Sequence, residues 1–144
     1  MKRQFLCSYM WLICTIVVLT GCAGTAPAMP TPNAPVQAGK ALLRGRLLNP
    51  QGVVIANRAV HLAPIYGEGN QQAYVFDAST GVGSVTDANG AFVMVNIPPG
   101  RYVFLVVVSE GLTAALLDKA GNEKIWDFKA DQLQDIGDAK VNLP

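Results

Sequence analysis

The sequence predicts an all-β domain: an antiparallel sandwich of seven or eight strands, preceded by a signal peptide and a proline-rich linker. Short β-prone segments recur through residues 40–144, and turn-forming residues separate them at intervals of about 8–12 residues. The chain is 51% hydrophobic and only 15% charged, which is the composition of a protein with a packed core. Its 144 residues have room for a single domain with accessory segments.

The amino terminus reads as a bacterial export signal. Lys2 and Arg3 precede a largely apolar run of 15 residues, 5–19, whereas a helix that crosses a bilayer needs ~20. The run therefore fits a signal-peptide core better than a permanent anchor. It ends in Leu19-Thr20-Gly21-Cys22, which resembles the lipobox of bacterial lipoproteins.

The lipobox resemblance implies cleavage between Gly21 and Cys22 and a lipid anchor on Cys22, made of a diacylglyceryl group and an N-acyl chain such as palmitate. The alternative is an ordinary thiol behind a plain secretory signal or membrane anchor. Ala23, and not aspartate, follows the cysteine, which favours the outer membrane if the cell is Gram-negative. Because Cys7 and Cys14 lie in the segment that would be removed, the mature domain would have no disulfide and would rely on its core.

Residues 22–39 are predicted to be the lipidated cysteine and a linker. Four prolines and no charged residue occur in 23–39, so this stretch favours an extended polyproline-II geometry. The alternative is an N-terminal arm packed on the domain. The β domain is then expected over residues 40–144.

Strands are predicted where β-prone residues run between turn signals. Turns are expected at 49–52, 67–70, 81–83, 87–90 and 97–100, where glycine, proline, asparagine and aspartate cluster. Segment 112–117 could be helical by propensity. The predicted strands are 41–48, 59–63, 73–76, 84–86, 91–95, 101–108, 112–117, 125–128 and 139–143.

Two turns are the most specific motifs of the domain. Asp87, Asn89 and Gly90 predict a hairpin between segments 84–86 and 91–95, with the side chains bonding turn amides. Asp87 and Asn89 could also form half of a calcium loop, but no bidentate glutamate follows them. Pro99 and Gly100 predict a second turn in which glycine takes a positive φ.

These segments resemble the carboxypeptidase regulatory-like, transthyretin-like domain. The resemblance is carried by 52–62, by 86–92 followed by 97–102, and by Asp135-Ile136-Gly137-Asp138 before the last strand. It implies an immunoglobulin-like sandwich of seven strands that serves as an accessory domain in zinc carboxypeptidases. No His-x-x-Glu motif occurs in these residues, so we expect the domain to stand here without a catalytic peptidase domain.

Related adhesin domains carry a Lys–Asn isopeptide bond, for which this chain is poorly equipped. Leu47 and Leu48 stand where the lysine would fall, and no acid follows Tyr102 until Glu110. Lys40 and Asn142 could be read as a bond pair, but Lys40 lies too early. We therefore expect no isopeptide bond.

Composition excludes several functional classes. A net charge of +1 gives no basic surface for nucleic acid. A histidine-rich metal site is excluded because His61 is the one histidine. His61 alternates with Val60 and Leu62, which predicts an exposed or rim position on a strand, and no Gly-x-Ser-x-Gly elbow accompanies it. We expect no enzyme activity, no cofactor and no metal.

The strongest predicted strand, 101–108, is apolar on both faces, although a sandwich strand needs only one apolar face. Either the C-terminal segment with Trp126 and Phe128 or a partner should cover the second face, and the C-terminal segment is favoured. The last 27 residues also mix acidic residues with lysines, which predicts a solvated charged face. These residues are Asp118, Lys119, Glu123, Lys124, Asp127, Lys129, Asp131, Asp135, Asp138 and Lys140.

The sequence thus predicts a lipid-anchored protein of the bacterial cell envelope whose sandwich is a non-catalytic interaction or scaffold module with an envelope protein as its partner. The alternative is a binder of a small ligand or glycan through loops around Tyr66 and Tyr74. A pocket shared by Tyr66, Tyr74 and Trp126 would favour the alternative. A flat, exposed apolar face would favour the interaction module.

Overall fold

The computed structural model describes residues 28–77, 79 and 81–144. The predicted signal peptide, the lipobox with Gly21 and Cys22, and the first linker residues lie outside this range. The described residues form nine β-strands and one short 3-10 turn, Gly69–Gln71. The strands are β1 (Ala41–Leu48), β2 (Ala59–Tyr66), β3 (Ala73–Tyr74), β4 (Val82–Val85), β5 (Ala91–Ile97), β6 (Gly100–Ser109), β7 (Leu112–Ala115), β8 (Ile125–Phe128) and β9 (Leu133–Lys140).

The strands form two sheets that face each other across one main core, so the all-β sandwich is confirmed. Sheet 1 has the order β5-β1-β9, and sheet 2 has the order β3-β2-β6-β7, with β4 also paired to β2 and β8 also paired to β6. Alternate residues of both sheets point inward, as the period of a strand requires. The largest fully buried side chains of this core are Phe92, Phe104, Phe128, Leu43, Leu47, Leu62, Met94, Ile97, Val60 and Val106.

The last strand differs from the sequence prediction. It begins at Leu133 rather than at residue 139, and it runs parallel to β1, whereas the other ladders are antiparallel. The sequence of β9 does not show the alternation of apolar and polar residues because β9 is a polar edge strand with a bulge. Arg44 lies opposite Asp135, but Arg46 lies opposite Asp138. The positive φ of Gly137, 58°, falls within this bulge.

The predicted hairpin 84–95 is wrong, although its turn forms. Strand β4 pairs with β2 and strand β5 pairs with β1, so the turn at Asp87–Gly90 carries the chain from sheet 2 to sheet 1. The turn at Pro98–Pro99 likewise leads from β5 back to β6 in the other sheet. Both turns are corners between layers, which the local sequence cannot distinguish from hairpin turns.

Two other local predictions also change. Of the expected break at 81–83, Val82 and Gly83 belong to β4, where Gly83 lies opposite His61 and a Cβ atom would contact the imidazole. The helical alternative for 112–117 is wrong, because Leu112–Ala115 forms strand β7 against β6. In the described residues, no helix is long and apolar enough to cross a membrane.

The second apolar face of β6 is not covered by Trp126 and Phe128, the cover that the sequence favoured. Trp126 and Phe128 belong to the main core between the sheets. Val103 and Leu105, on the other face, are buried in a second cluster with Ala63, Ile65, Tyr74 and Ala115. Tyr74 belongs to the connection between β2 and β4, which therefore folds back over the outside of sheet 2.

Part of the predicted linker lies against the domain. The side chain of Asn96 on β5 accepts a hydrogen bond from the amide of Gln37 at 2.8 Å and donates one to the carbonyl of Pro35 at 3.1 Å. Pro30, Thr31 and Asn33 line a cavity with Ser84, Val85 and Val93 of β4 and β5. We call residues 30–37 the arm, and the side of the sandwich formed by β4, β5 and the arm the tether side.

Candidate functional site

The sandwich has an open side opposite the tether side. In sheet 1, β5 is one edge and β9 the other. In sheet 2, β7 and β8 follow each other along the free edge of β6. We call the side formed by β7, β8, β9 and the β7–β8 loop the open side.

A cleft of about 220 Å³ enters the core from the open side. One wall comes from sheet 2 and the β7–β8 loop, and the other wall comes from β9. The lining residues are Leu116, Leu117, Lys124 and Trp126 on the first wall and Ile136, Asp138, Ala139 and Lys140 on the second.

The β7–β8 loop is shaped by Asp118. Its Oδ1 accepts hydrogen bonds from the amides of Ala120 and Asn122 at 2.8 and 2.9 Å. The backbone hydrogen bond from Asn122 is the main cause that lowers the pKa of Asp118. The amide of Lys124 then bonds the carbonyl of Leu116 at 2.8 Å, which holds both residues at the cleft.

Trp126 is the central residue of the cleft. Its side chain is only 5% exposed. Its Nε1 is buried and has no hydrogen-bond partner among the described residues, although a buried indole N–H usually finds an acceptor. The Nζ of Lys124 lies 3.9 Å from the centre of the indole ring and covers one ring face.

The charged side chains around the cleft differ in whether an opposite charge compensates them. Arg46 forms two hydrogen bonds with the carboxylate of Asp138, at 2.8 and 2.7 Å. The hydrogen bond from Arg46 holds the pKa of Asp138 below its usual value, and the same bond raises the pKa of Arg46. Asp138 is therefore compensated by Arg46 from outside the cleft, whereas Lys124 and Lys140, which also line it, have no carboxylate partner among the described residues. Lys140 makes one long contact, 3.4 Å, to the carbonyl of Pro50.

The three aromatic residues suggested by the sequence do not meet. Tyr66 is 59% exposed, and Trp126 lies on the inner face of sheet 2. The hydroxyl of Tyr74 donates to Glu123 at 2.9 Å across the outer face, and burial, followed by this bond, raises the pKa of Tyr74. Tyr74 lines a separate cleft of about 110 Å³ with Ile65, Gln72, Ala73, Val103, Glu123 and Ile125.

The turn residues have backbone partners. Oδ1 of Asp87 accepts hydrogen bonds from the amides of Asn89 and Ala91 at 2.8 and 2.9 Å. Gly90 has a φ of 74° and Gly100 a φ of 154°, and Pro99 is exposed in the turn that connects β5 to β6. Through the described part of the chain, no group of three histidine, cysteine or acidic residues is arranged to hold a metal ion.

His61 is half-buried on the outer face of sheet 2. Its ring makes an edge contact with Phe76, with the ring centres 5.3 Å apart. Its Nδ1 is buried without a hydrogen-bond partner in the described residues, and desolvation lowers its pKa. Among the described residues no carboxylate bonds this imidazole, and its ring packs against Phe76.

The sequence prediction missed the cleft because its two walls come from different sheets. Lys124 and Lys140 belong to the predicted mixed-charge face, and part of that face is organised differently: Asp135 and Asp138 pair with Arg44 and Arg46 of β1. Only the alternation in Ile125–Phe128, with Trp126 directed inward, gave a signal for the position of the indole.

No protein-family model and no curated protein matches this chain. Among solved structures, it is similar to a candidate carbohydrate-binding protein of Pseudomonas aeruginosa, at 21% identity and a TM-score of 0.42, over 74% of this chain and 97% of the other. It is also similar to the major pilin subunit of Bacillus cereus, BcpA with the substitution D312A, at 16% identity and a TM-score of 0.43, over 72% of this chain and 30% of the pilin.

A third similar structure is a 9R-lipoxygenase from Cyanothece, at 15% identity and a TM-score of 0.44, over 81% of this chain and 18% of the enzyme. This chain thus spans less than a third of the pilin and less than a fifth of the lipoxygenase. At these identities and TM-scores, the similarity carries no information about the function of this chain.

Proposed function

We propose that this protein is a lipid-anchored protein of the bacterial cell envelope that uses the open side of a non-catalytic sandwich to bind an envelope partner. The anchoring part rests on Lys2, Arg3, the apolar run 5–19 and the lipobox ending in Cys22. The domain part rests on the resemblance to the carboxypeptidase regulatory-like family, in which the sandwich is an accessory module.

The observation that carries the binding part is the position of the open side. The arm lies against β5, whereas the open side is at β9, the opposite edge of sheet 1. A chain tethered through Cys22 would therefore leave the open side free to meet a partner. Residues 22–29, if extended at ~3.1 Å per residue, would span ~25 Å from the lipid to the arm.

The edge of β9 is poorly suited to pairing with a strand of the partner. The bulge at Asp135–Asp138 interrupts the ladder, and Lys140 adds a charge to the edge. Both features protect natural sheet edges from strand addition. The partner should therefore be recognised by side chains in and around the cleft, where Leu117 is 54% exposed.

The alternative function, glycan binding through Tyr66, Tyr74 and Trp126, has less support. Tyr74 and Trp126 line two different clefts of the described residues, and Lys124 lies over one face of the indole. The cleft at Trp126 still has room for a small ligand. We therefore keep ligand binding as a candidate function, with a ligand other than a glycan.

Anchoring is tested by Cys22→Ser with Cys14→Ser as its matched control. Cys22→Ser should lose incorporated radiolabelled palmitate and leave the membrane fraction, whereas Cys14→Ser should keep both, since position 14 lies in the segment that is removed. Unchanged labelling and fractionation of Cys22→Ser would contradict the lipid anchor.

A further inference from the structure

The cleft of the open side contains a hydrogen-bond donor that the described chain leaves unused. Trp126 is 95% buried, it lines the cleft, and its Nε1 has no acceptor there. Buried polar groups in native proteins nearly always have a partner, either in the protein or in a bound molecule. A molecule that binds in the cleft is therefore a candidate acceptor for this indole.

The charge of the cleft selects an anionic acceptor. Lys124 and Lys140 line it, with the ammonium of Lys124 over the indole ring and that of Lys140 in one long contact to the carbonyl of Pro50. The opposing carboxylate, Asp138, is already held by Arg46 through two hydrogen bonds. An acceptor that carries a negative charge would pair with the lysines and accept from the indole N–H in one position, and such charge-assisted hydrogen bonds are the stronger kind.

The remaining walls select an aliphatic group next to the charge. Leu116, Ile136 and Ala139 are apolar, and the volume of about 220 Å³ admits only a short group. Lys124 covers one face of the indole, so a flat ring cannot stack on that face. The lining thus combines a donor, two cations and a small apolar surface.

We propose that this cleft binds a carboxylate that carries a short aliphatic group, with one carboxylate oxygen accepting from Nε1 of Trp126 and with Lys124 and Lys140 as counter-charges. The proposal builds on the proposed function in that it gives the ligand chemistry of the open side. Two sources share this chemistry: a free short-chain acid and the carboxyl terminus of a peptide ending in an aliphatic residue.

The test follows the indole N–H of Trp126 directly. The ¹⁵N-labelled unprocessed chain in a non-ionic detergent has two indole signals, from Trp11 and Trp126, and Trp11→Phe assigns them, whereas a chain cleaved before Cys22 has only the Trp126 signal. The probes are isovalerate and its neutral amide isovaleramide, and acetyl-Ala-Leu with a free or an amidated carboxyl terminus. We expect a saturable downfield shift of the Trp126 signal with the carboxylates and no such shift with the amides.

The tighter-binding carboxylate identifies the source of the ligand. No saturable shift with either carboxylate would overturn the proposal and leave a cleft that holds water only. Equal shifts with acids and amides would also overturn it, because the charge would then have no role. This readout does not depend on Cys22, so a failed lipid anchor and a failed carboxylate site give different results.

Lys124→Gln provides the matched perturbation, with Lys129→Gln as its control on the same part of the chain. Loss of one charged hydrogen bond should weaken carboxylate binding about tenfold, while Lys129→Gln should bind as the wild type does. The dispersion of the amide signals verifies that both variants fold. Equal affinities of the two variants would contradict the assignment of Lys124.

Discussion

Among the described residues, three other than glycine adopt a positive φ, and each joins distant parts of the chain. They are Asn57, Asn96 and Asp131, with φ values of 54°, 61° and 57°. The amide of Asn57 bonds the carbonyl of Thr86, Asn96 bonds the arm, and Asp131 accepts from the amide of Gly39 at 2.7 Å. Asparagine and aspartate tolerate this conformation better than other side chains, so they suit such joins.

Gly90 should be the most sensitive glycine of the corner turns. Its φ is 74°, and a Cβ atom there would lie 2.6 Å from the carbonyl oxygen of Leu47. Gly111 has the same φ with open space around it. Gly111→Ala should therefore lose about 1 kcal/mol from backbone strain alone, and Gly90→Ala on the order of 3 kcal/mol because the backbone must also move. Urea unfolding measures both, and equal losses would contradict the close contact at Gly90.

His61 should make stability depend on pH. Its pKa is lowered in the folded state by desolvation, so the unfolded chain binds more protons once the pH falls below about 6.5. The free energy of unfolding should have its full value above this pH. It should fall as the pH decreases toward the pKa of His61 in the folded state, and it should level off below that pKa. His61→Gln should flatten this region. The measurement is the urea midpoint of unfolding at about pH 7.5 and about pH 5. If the midpoint changes between these pH values as much in His61→Gln as in the wild type, a group other than His61 causes the pH dependence.

At the scale of elements, strands were predictable where their residues alternate or are apolar throughout. Residues 41–48 and 125–128 match β1 and β8 to the residue. Strand β9 was predicted too late because its inner positions are interrupted by a bulge and its outer positions are charged. The pairing of the strands was harder to predict from the sequence. A turn such as Asp87–Gly90 has the same residues whether it joins neighbouring strands of one sheet or crosses between two sheets.

The connection between β2 and β4 should act as part of the core. Leu105, on the outer face of β6, is only 1% exposed because this connection and its neighbours cover it. Leu105→Ala should therefore lower the free energy of unfolding by about 2–5 kcal/mol, as in an interior site. Val107→Ala, on the same face but half-buried, should lower it by under about 1 kcal/mol. Urea unfolding compares them, and a loss at Leu105 no larger than at Val107 would mean that the outer face is not sealed.

At the scale of the whole molecule, the two sides of the sandwich have different surroundings. The tether side is closed by the corner turn at Asp87–Gly90 and by the arm on Asn96. The open side has the cleft, the unused donor of Trp126 and the exposed Leu117. Composition predicted the sandwich and its core, but this asymmetry arises from contacts between residues about 60 positions apart, such as Gln37 and Asn96, which no local pattern reveals.

The claim that the open side is the binding surface is tested most directly by photo-cross-linking in intact cells. A photoreactive phenylalanine is placed in turn at Leu117 on the open side, Val85 on the tether side and Phe76 on the outer face, which are 54%, 60% and 37% exposed. We predict a discrete cross-linked product from position 117 that is lost when Lys124→Gln is added, and none from positions 85 or 76. A product from position 85 or 76 with none from position 117 would contradict the account.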